Sequence, residues 1–332
     1  MKRMKKLCAA LLAVGMLVGM AGCQSGGDTP SGGNTPAGGN TPAGGDEQIT
    51  VGVVLKTLSS EYWSYVSAGV RAAEEELGVK VLLEGPPSET SYNEQTNIIE
   101  TMISAGEVDA IAIAPLQADM IVTQLSNCTI PVLFVDTDAE YEQKTSFIGT
   151  GNEEAAYLGG QYMAEKLPED GKVVIIGGVA GNPTIEARVN GYKKAMEEAG
   201  IEILDIQYAE SNAEKSLNIM ENFLQNFERI DAVLCVGDEM AMAAQRAAAQ
   251  AGRDEIMFMG FDGISSGVQA VIDGQLTATV AQSPYNMGYQ AVVNAVAAAK
   301  GEEVEKRIDT GAQVIDAENA EEYLAELNAM VE

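Results

Sequence analysis

From residue 49 onward the chain alternates between two patterns. Short runs of consecutive apolar residues are separated by longer stretches in which apolar residues recur every three or four positions. The runs fit strands buried on both faces of a parallel sheet, and the longer stretches fit amphipathic helices. Segments 49–55, 79–83, 110–114 and 131–135 predict strands. Between them 59–77, 92–103 and 119–126 predict helices, the first ending at Gly78 as a helix stop. The pattern breaks at 149–152 and a second series follows. Its predicted helices are 153–167, 185–199, 213–227, 240–251, 264–272 and 286–299, with a last one near 320–330. Its predicted strands are 172–176, 202–208, 232–236, 256–259 and 276–280, with a short one near 313–315. Strands alternating with helices predict two consecutive α/β units, each a parallel sheet with right-handed crossovers.

The first 48 residues are of another kind. Lys2, Arg3, Lys5 and Lys6 precede an apolar stretch that ends in Met20-Ala21-Gly22-Cys23. A basic start, an apolar middle and small residues before the cut describe a signal peptide at 1–22, too short to span a membrane as a helix. The Ala-Gly-Cys ending resembles a bacterial lipobox, which implies that Cys23 is the lipidated first residue of the mature chain. Residues 24–48 contain three hexapeptide repeats beginning Thr-Pro at Thr29, Thr35 and Thr41. Having little to bury, 23–48 reads as a disordered tether with a reach of about 25–30 Å.

Charge narrows the choice of partners. Asp and Glu number 49 against 20 Lys and Arg, a formal net charge of −29, so nucleic acid is not an expected partner. The chain has 4 cysteines and no histidine. Cys128 and Cys235 fall in different units and are expected to be buried free thiols rather than a disulfide. Gly263-Ile264-Ser265-Ser266-Gly267 matches a nucleophile elbow. Without a histidine to take the serine proton it does not predict a hydrolase, and no enzyme activity is expected. Asp136, Asp138, Glu140 and Glu142 alternate, but Tyr141 stands where a calcium loop needs glycine, so no metal and no cofactor are expected. Gly177-Gly178-Val179-Ala180-Gly181 lacks the Gly-Lys-Ser/Thr of a phosphate-binding loop.

The candidate chemistry lies at strand ends. In open α/β sheets ligands bind beyond the carboxyl ends of the strands. Asp136 follows one apolar run and Asp262 another, in different units. Each carboxylate can accept from two adjacent hydroxyls. Gln282 ends a third run, and Arg188 offers a rigid fork of donors. Tyr62 and Trp63, the only tryptophan, open the first helix. Ser60, Asn182, Thr184, Glu186 and Asp238 are further candidates, each more readily read as a cap or loop residue when taken alone.

Several stretches together resemble the extracytoplasmic solute-binding proteins of sugar ABC importers, of the ribose/galactose-binding type. They begin with Thr57-Leu58-Ser59-Ser60-Glu61-Tyr62-Trp63, Ile130-Pro131-Val132-Leu133-Phe134-Val135-Asp136 and Glu186-Ala187-Arg188-Val189-Asn190-Gly191-Tyr192. They continue with Gly237-Asp238-Glu239-Met240-Ala241, Gly260-Phe261-Asp262-Gly263 and Ala278-Thr279-Val280-Ala281-Gln282-Ser283-Pro284. The resemblance implies a type I periplasmic binding protein fold, with two similar doubly wound parallel-sheet lobes joined by a three-strand hinge. Crossings are implied near 150–152, 282–284 and 310–312. The N-terminal lobe would then be 49–149 plus 285–309, and the C-terminal lobe 150–282 plus 310–332. A monosaccharide or related polyol would sit between lobes that close by hinge motion. Asp136, Asp262, Arg188 and Gln282 would hold its hydroxyls, and Tyr62 or Trp63 would cover its ring. Ala114, Gly237 and Thr137 depart from the ribose pattern, where the first two are asparagine and the third arginine. The loop 84–89 also differs and is a candidate to reach the cleft.

The expected function is capture of a sugar by a monomer, lipid-anchored on the outer face of the bacterial membrane, and its delivery to an ABC permease. A ligand-binding module presenting a sugar or autoinducer-like signal to a membrane sensor would use the same cleft.

Overall fold

A computed structural model describes residues 48–330, so the leader, Cys23 and almost the whole tether lie outside the described residues. Among the described residues twelve strands form two sheets of six, in the orders β2-β1-β3-β4-β5-β11 and β7-β6-β8-β9-β10-β12. The first sheet comprises β1 (Thr50–Val54), β2 (Lys80–Glu84), β3 (Ala110–Ile113), β4 (Val132–Val135), β5 (Ser146–Gly149) and β11 (Arg307–Asp309). The second comprises β6 (Lys172–Gly177), β7 (Glu202–Tyr208), β8 (Ala232–Cys235), β9 (Met257–Asp262), β10 (Ala278–Ala281) and β12 (Gln313–Ile315). Nine of the ten strand pairs are parallel, and β12 runs antiparallel to β10. Each sheet is doubly wound in the same order, so the two lobes are topological copies. In both, the carboxyl edge of the central strands faces the site.

The central strands β3, β4, β8 and β10 are buried at every position. That burial on both faces is why they read as unbroken apolar runs. Two strands escape that reading. Ser146–Gly149 begins with a serine and ends with a glycine, and Arg307–Asp309 is a half-exposed edge with a charge at each end. A third difference concerns Gly260, which stood beyond the predicted strand but lies inside β9. A methyl there would collide with the Asp238 carboxylate, so the strand needs a glycine at that point.

The helices close over the sheets through small residues. In the first lobe α1 (Glu61–Leu77) crosses α9 (Pro284–Ala299). A methyl at Gly69 would strike the Tyr285 carbonyl, and one at Gly288 would strike the Val66 carbonyl. In the second lobe α4 (Asn152–Ala164) crosses α5 (Pro183–Ala199), where a methyl at Gly191 would strike the Glu153 carbonyl. Gly69→Ala and Gly288→Ala gain up to ~1 kcal/mol each in helix propensity. The backbone collision outweighs this, and a net loss of about 2–3 kcal/mol is expected from each. Urea denaturation showing either variant as stable as the parent would contradict this packing.

Between these helices lie α2 (Tyr92–Ser104), α3 (Ala118–Gln124), α6 (Ala213–Asn226), α7 (Asp238–Gln250), α8 (Ser265–Ile272) and α10 (Ala320–Ala329). Cys128 and Cys235 are free thiols. Cys235 is buried as expected, whereas Cys128 is only half-buried, because it follows α3 in a surface turn and is not seated in a strand. No described helix is long and apolar enough to cross a membrane.

Candidate functional site

The fourth strand of each lobe ends in an acid with unusual backbone geometry. Asp136 follows β4 with φ 63°, and Asp262 closes β9 with φ 107°. Left-handed conformations are costly for side chains other than glycine and cluster at functional sites. Here the twist occurs at the same topological position in both lobes. Both carboxylates line one cleft of about 510 Å³, together with Tyr62, Trp63, Ser60, Thr184 and Arg188. Seven of the expected residues are therefore brought together.

Asp136 is nearly saturated by protein. Its Oδ2 accepts from Lys56 Nζ at 2.8 Å and from Thr137 Oγ1 at 3.0 Å, and its Oδ1 accepts from Tyr62 Oη at 3.0 Å. Burial alone would raise its pKa, but the charges of Lys56 and Arg188 hold it below the usual carboxylate range. Lys56 was missed in the sequence. It stands two residues after β1, so the strand-end rule that found Asp136 also points to it.

Asp262 Oδ1 accepts from Arg188 Nη1 at 3.0 Å and from Gln282 Nε2 at 2.8 Å. Arg188 also donates from Nε to Asn152 Oδ1 at 2.8 Å and from Nη1 to the Val236 carbonyl at 2.9 Å. Its guanidinium lies 3.9 Å from the centroid of the Phe261 ring. Neither Arg188 Nη2 nor Asp262 Oδ2 has a hydrogen-bond partner among the described residues. A donor and an acceptor are thus left over on adjacent, rigidly held groups. A sugar hydroxyl, which donates and accepts at once, fits between such groups.

The aromatic pair forms a wall. Tyr62 and Trp63 meet edge to face with centroids 5.1 Å apart, and Trp63 is 2 % exposed. Trp63 Nε1 donates to Glu89 Oε1 at 3.1 Å. The loop 84–89 thus reaches the cleft, and Ser88 and Glu89 line it.

Four expected residues do not line this cleft in the structure. Asn182 caps α5, its side chain accepting from the Thr184 and Ile185 amides. Glu186 turns away to the Gly181 amide and Tyr208 Oη. Asp238 is wholly buried behind the cleft, accepting from Thr279 Oγ1 at 2.6 Å and the Ile264 amide at 3.0 Å. Gln282 lies behind Asp262 and touches the site only through it. Its Oε1 is buried with no partner among the described residues. Each of these four sits in a motif of the right type, one shell behind the residues that face the cavity.

A larger hollow of about 750 Å³ opens on the other side of Asp136 and Thr184. Its wall carries Glu153, Glu154, Arg307 and Asp309 from the hinge side. Its lining cation, Arg307, is exposed, whereas Lys56 and Arg188 on the smaller cleft are buried, so the smaller cleft is the candidate site.

Charge sets a pH dependence. Burial pushes Asp262 up to about 7 despite Arg188 and Gln282. Burial, then the Asp262 charge, pushes Asp238 well above its ordinary value. A carboxyl raised on folding binds more protons folded than unfolded, so it costs stability as pH climbs towards the folded pKa. With no histidine in the chain, few other groups titrate near neutrality. Stability of the unliganded protein is expected to rise as pH falls from about 8 to about 6. It falls again at acid pH, where Asp136 and Glu61, whose folded pKa values are lowered, take up protons. Asp238→Asn should flatten the neutral part of the curve. Denaturation midpoints that climb from pH 6 to 8 would refute the assignment.

Comparison with known proteins fits this geometry. A family profile described as periplasmic binding protein domain matches residues 51–303. The chain belongs to the periplasmic binding protein family. Within that family, the ribose import binding protein of Escherichia coli (strain K12) is 30% identical over 261 residues, 78% of this chain and 87% of the relative. The D-allose-binding periplasmic protein of the same organism is 33% identical over 249 residues, 71% of this chain and 80% of the relative. A carbohydrate transporter solute binding protein from Agrobacterium radiobacter, solved with D-arabinose, superposes with a TM-score of 0.80 at 28% identity. That superposition covers 87% of this chain and all of the other. One from Bacillus halodurans C-125, solved with myo-inositol, gives 0.79 at 27% identity over 85% of this chain and 99% of the other. The two-lobed fold read from the sequence is the fold of this family, and the family is one of binding proteins rather than enzymes.

Proposed function

We propose that this chain captures a monosaccharide or related polyol in the cleft and delivers it to the permease of an ABC importer. The observation that carries the reading is the matched pair of left-handed acids, Asp136 and Asp262, each held by a buried cation and both facing one cavity. The ligands named for the relatives (ribose, allose, arabinose and myo-inositol) share a ring bearing adjacent hydroxyls. Arg188 and Asp262 offer such a ring a free donor and a free acceptor. The lobes that close on it are 49–149 with 285–309, and 150–282 with 310–332. Tyr62 and Trp63 wall the ring, and Ser60 and Thr184 also line the cleft.

Pentose size is not imposed by the cleft. Gly237 lines it without a side chain, and Thr137 bonds Thr184 Oγ1 at 2.7 Å rather than reaching a ligand. A thermal-shift screen of the protein against pentoses, hexoses, inositols and nucleosides tests the reading. At 100 times its Kd, one ligand adds about 2.7 kcal/mol of stability. A shift from one sugar or polyol that vanishes in Asp262→Ala supports the proposal; silence across the set removes it.

The protein acts as a monomer outside the cytoplasm, held to the membrane by lipid on Cys23 and raised from it by the 24–48 tether. Cys23→Ser should release it into the medium of expressing cells. Retention in the membrane fraction would rule out the anchor.

A further inference from the structure

The two serines of the Gly263-Ile264-Ser265-Ser266-Gly267 motif do not line the cleft, yet they make a tight contact between the lobes. Glu61 opens α1 in the first lobe, and Ser265 opens α8 in the second. Ser265 Oγ donates to Glu61 Oε1 at 2.7 Å, and Ser266 Oγ donates to Oε2 at 2.6 Å. The Ser266 amide donates to Oε1 at 3.2 Å. Tyr65 Oη steadies the same oxygen at 3.3 Å from within α1. We propose that Glu61, Ser265 and Ser266 form a latch that holds the two lobes closed over the cleft and sets how long a ligand stays.

Three features separate a latch from an ordinary surface contact. The first is that α8 has no cap of its own. Its N-cap is Ile264, with no capping side chain and no acid in the first turn. An α-helix leaves its first amides unpaired, and an acceptor with negative charge suits that end. That acceptor comes from the opposite lobe, so opening the lobes uncaps α8. A second feature is Ile264 itself, 2 % exposed and packed in the core cluster of the first lobe with Tyr62, Trp63 and Val66. Its backbone belongs to the second lobe, so opening also exposes this side chain to water. Position supplies the third. Ser60 and Ile264, the neighbours of the latch on either side, line the cleft, whereas Glu61, Ser265 and Ser266 do not. The contact therefore closes the rim without touching the ligand.

Glu239, in the first turn of α7, stands near Glu61 and Glu89, whose charges add to burial in raising its pKa. The first turn of α8 is met by Glu61 from the opposite lobe. Glu61, Ser265 and Ser266 are positioning residues, because they act on the ligand only through the closure of the lobes.

The test reads lobe separation directly and needs no ligand, so it stays distinct from failure of the sugar-binding reading. Spin labels are placed on Glu75→Cys and Gln269→Cys, both exposed, in a Cys128→Ser background of the full chain. Pulsed electron-spin distances are compared between that parent, Glu61→Ala, and the Ser265→Ala/Ser266→Ala pair. Both variants should move the distribution to longer separations, raising the open-to-closed ratio by about tenfold, with three charge-assisted bonds lost in Glu61→Ala and two in the serine pair. Combining them should add nothing further, and Glu61→Gln should restore part of the short component. A merely structural role would lower the melting temperature and leave the distances in place, and that result overturns the proposal. So does additivity of the two variants.

Discussion

Arg188→Ala is expected to abolish sugar binding at millimolar concentrations and to destabilise the protein by about 2–3 kcal/mol. Arg188 is 4% exposed and serves three acceptors at once, Asn152 Oδ1, the Val236 carbonyl and Asp262 Oδ1. Removing one partner of a buried pair costs about 3–5 kcal/mol when the remaining charge is fully enclosed. The Asp262 side chain keeps 19% of its surface exposed, which is why the lower figure applies. Without the guanidinium, the Asp262 pKa climbs further above about 7, and the carboxyl is protonated where it should accept from a ligand. Arg188→Ala/Asp262→Asn should regain stability, because no unpaired charge remains, without regaining binding. Arg188→Lys should fold well and bind poorly, since an ammonium cannot hold Asn152, Val236 and Asp262 in one plane and still present Nη2. Calorimetric titration with the sugar found in the screen, alongside urea denaturation, separates the two effects. An Arg188→Ala variant that still binds tightly would move the ligand out of this cleft.

How much of this was legible in the sequence follows the same physical divide. Asp136 and Asp262 were found because a parallel strand buried on both faces must read as an apolar run, and the residue after such a run has few places to go. The run of β7 was legible over its whole length, whereas β5 and β11 were not, because β5 is a four-residue strand that opens on a serine and closes on a glycine, and β11 is an edge strand of three residues with a charge at each end. Site residues failed in a different way. Asp238 and Glu186 stand in the first turns of α7 and α5, next to the loops that meet the cleft, and side-chain direction decides their roles. A wholly buried acid bonded to Thr279 and a ligand-facing acid have the same letter and similar neighbours in the chain. Lys56 failed for the opposite reason, since a lysine after a strand reads as a surface residue until the fold places it 2.8 Å from Asp136. The serine motif at Ser265 was legible as a strand–helix junction. Its partner, Glu61, is 204 residues away in the chain and cannot be paired by any local pattern.

Asp136 gives the second large effect, and its backbone makes the experiment informative. At φ 63° an alanine carries a left-handed cost that asparagine largely avoids. Asp136→Asn therefore isolates the loss of charge, and Asp136→Ala adds strain of roughly 1 kcal/mol. Both leave the Lys56 ammonium, 4% exposed, without its anion, at a cost of about 3 kcal/mol or more. Both also free Tyr62 Oη and Thr137 Oγ1 from their shared acceptor, loosening the aromatic wall and the contact with Thr184. Sugar affinity is expected to fall at least a hundredfold in either variant, about 2.7 kcal/mol. The order of stability should be parent, then Asp136→Asn, then Asp136→Ala. Lys56→Met/Asp136→Asn should approach the parent in stability, because the pair is removed as a unit, and should still fail to bind. If Lys56→Met alone binds as the parent does, the lysine only balances a charge; if it fails while remaining folded, Lys56 orients Asp136 for the ligand. The geometry favours the second outcome, since Lys56 Nζ and Thr137 Oγ1 both fix Oδ2 and leave the carboxylate no other orientation in which Tyr62 keeps its bond to Oδ1.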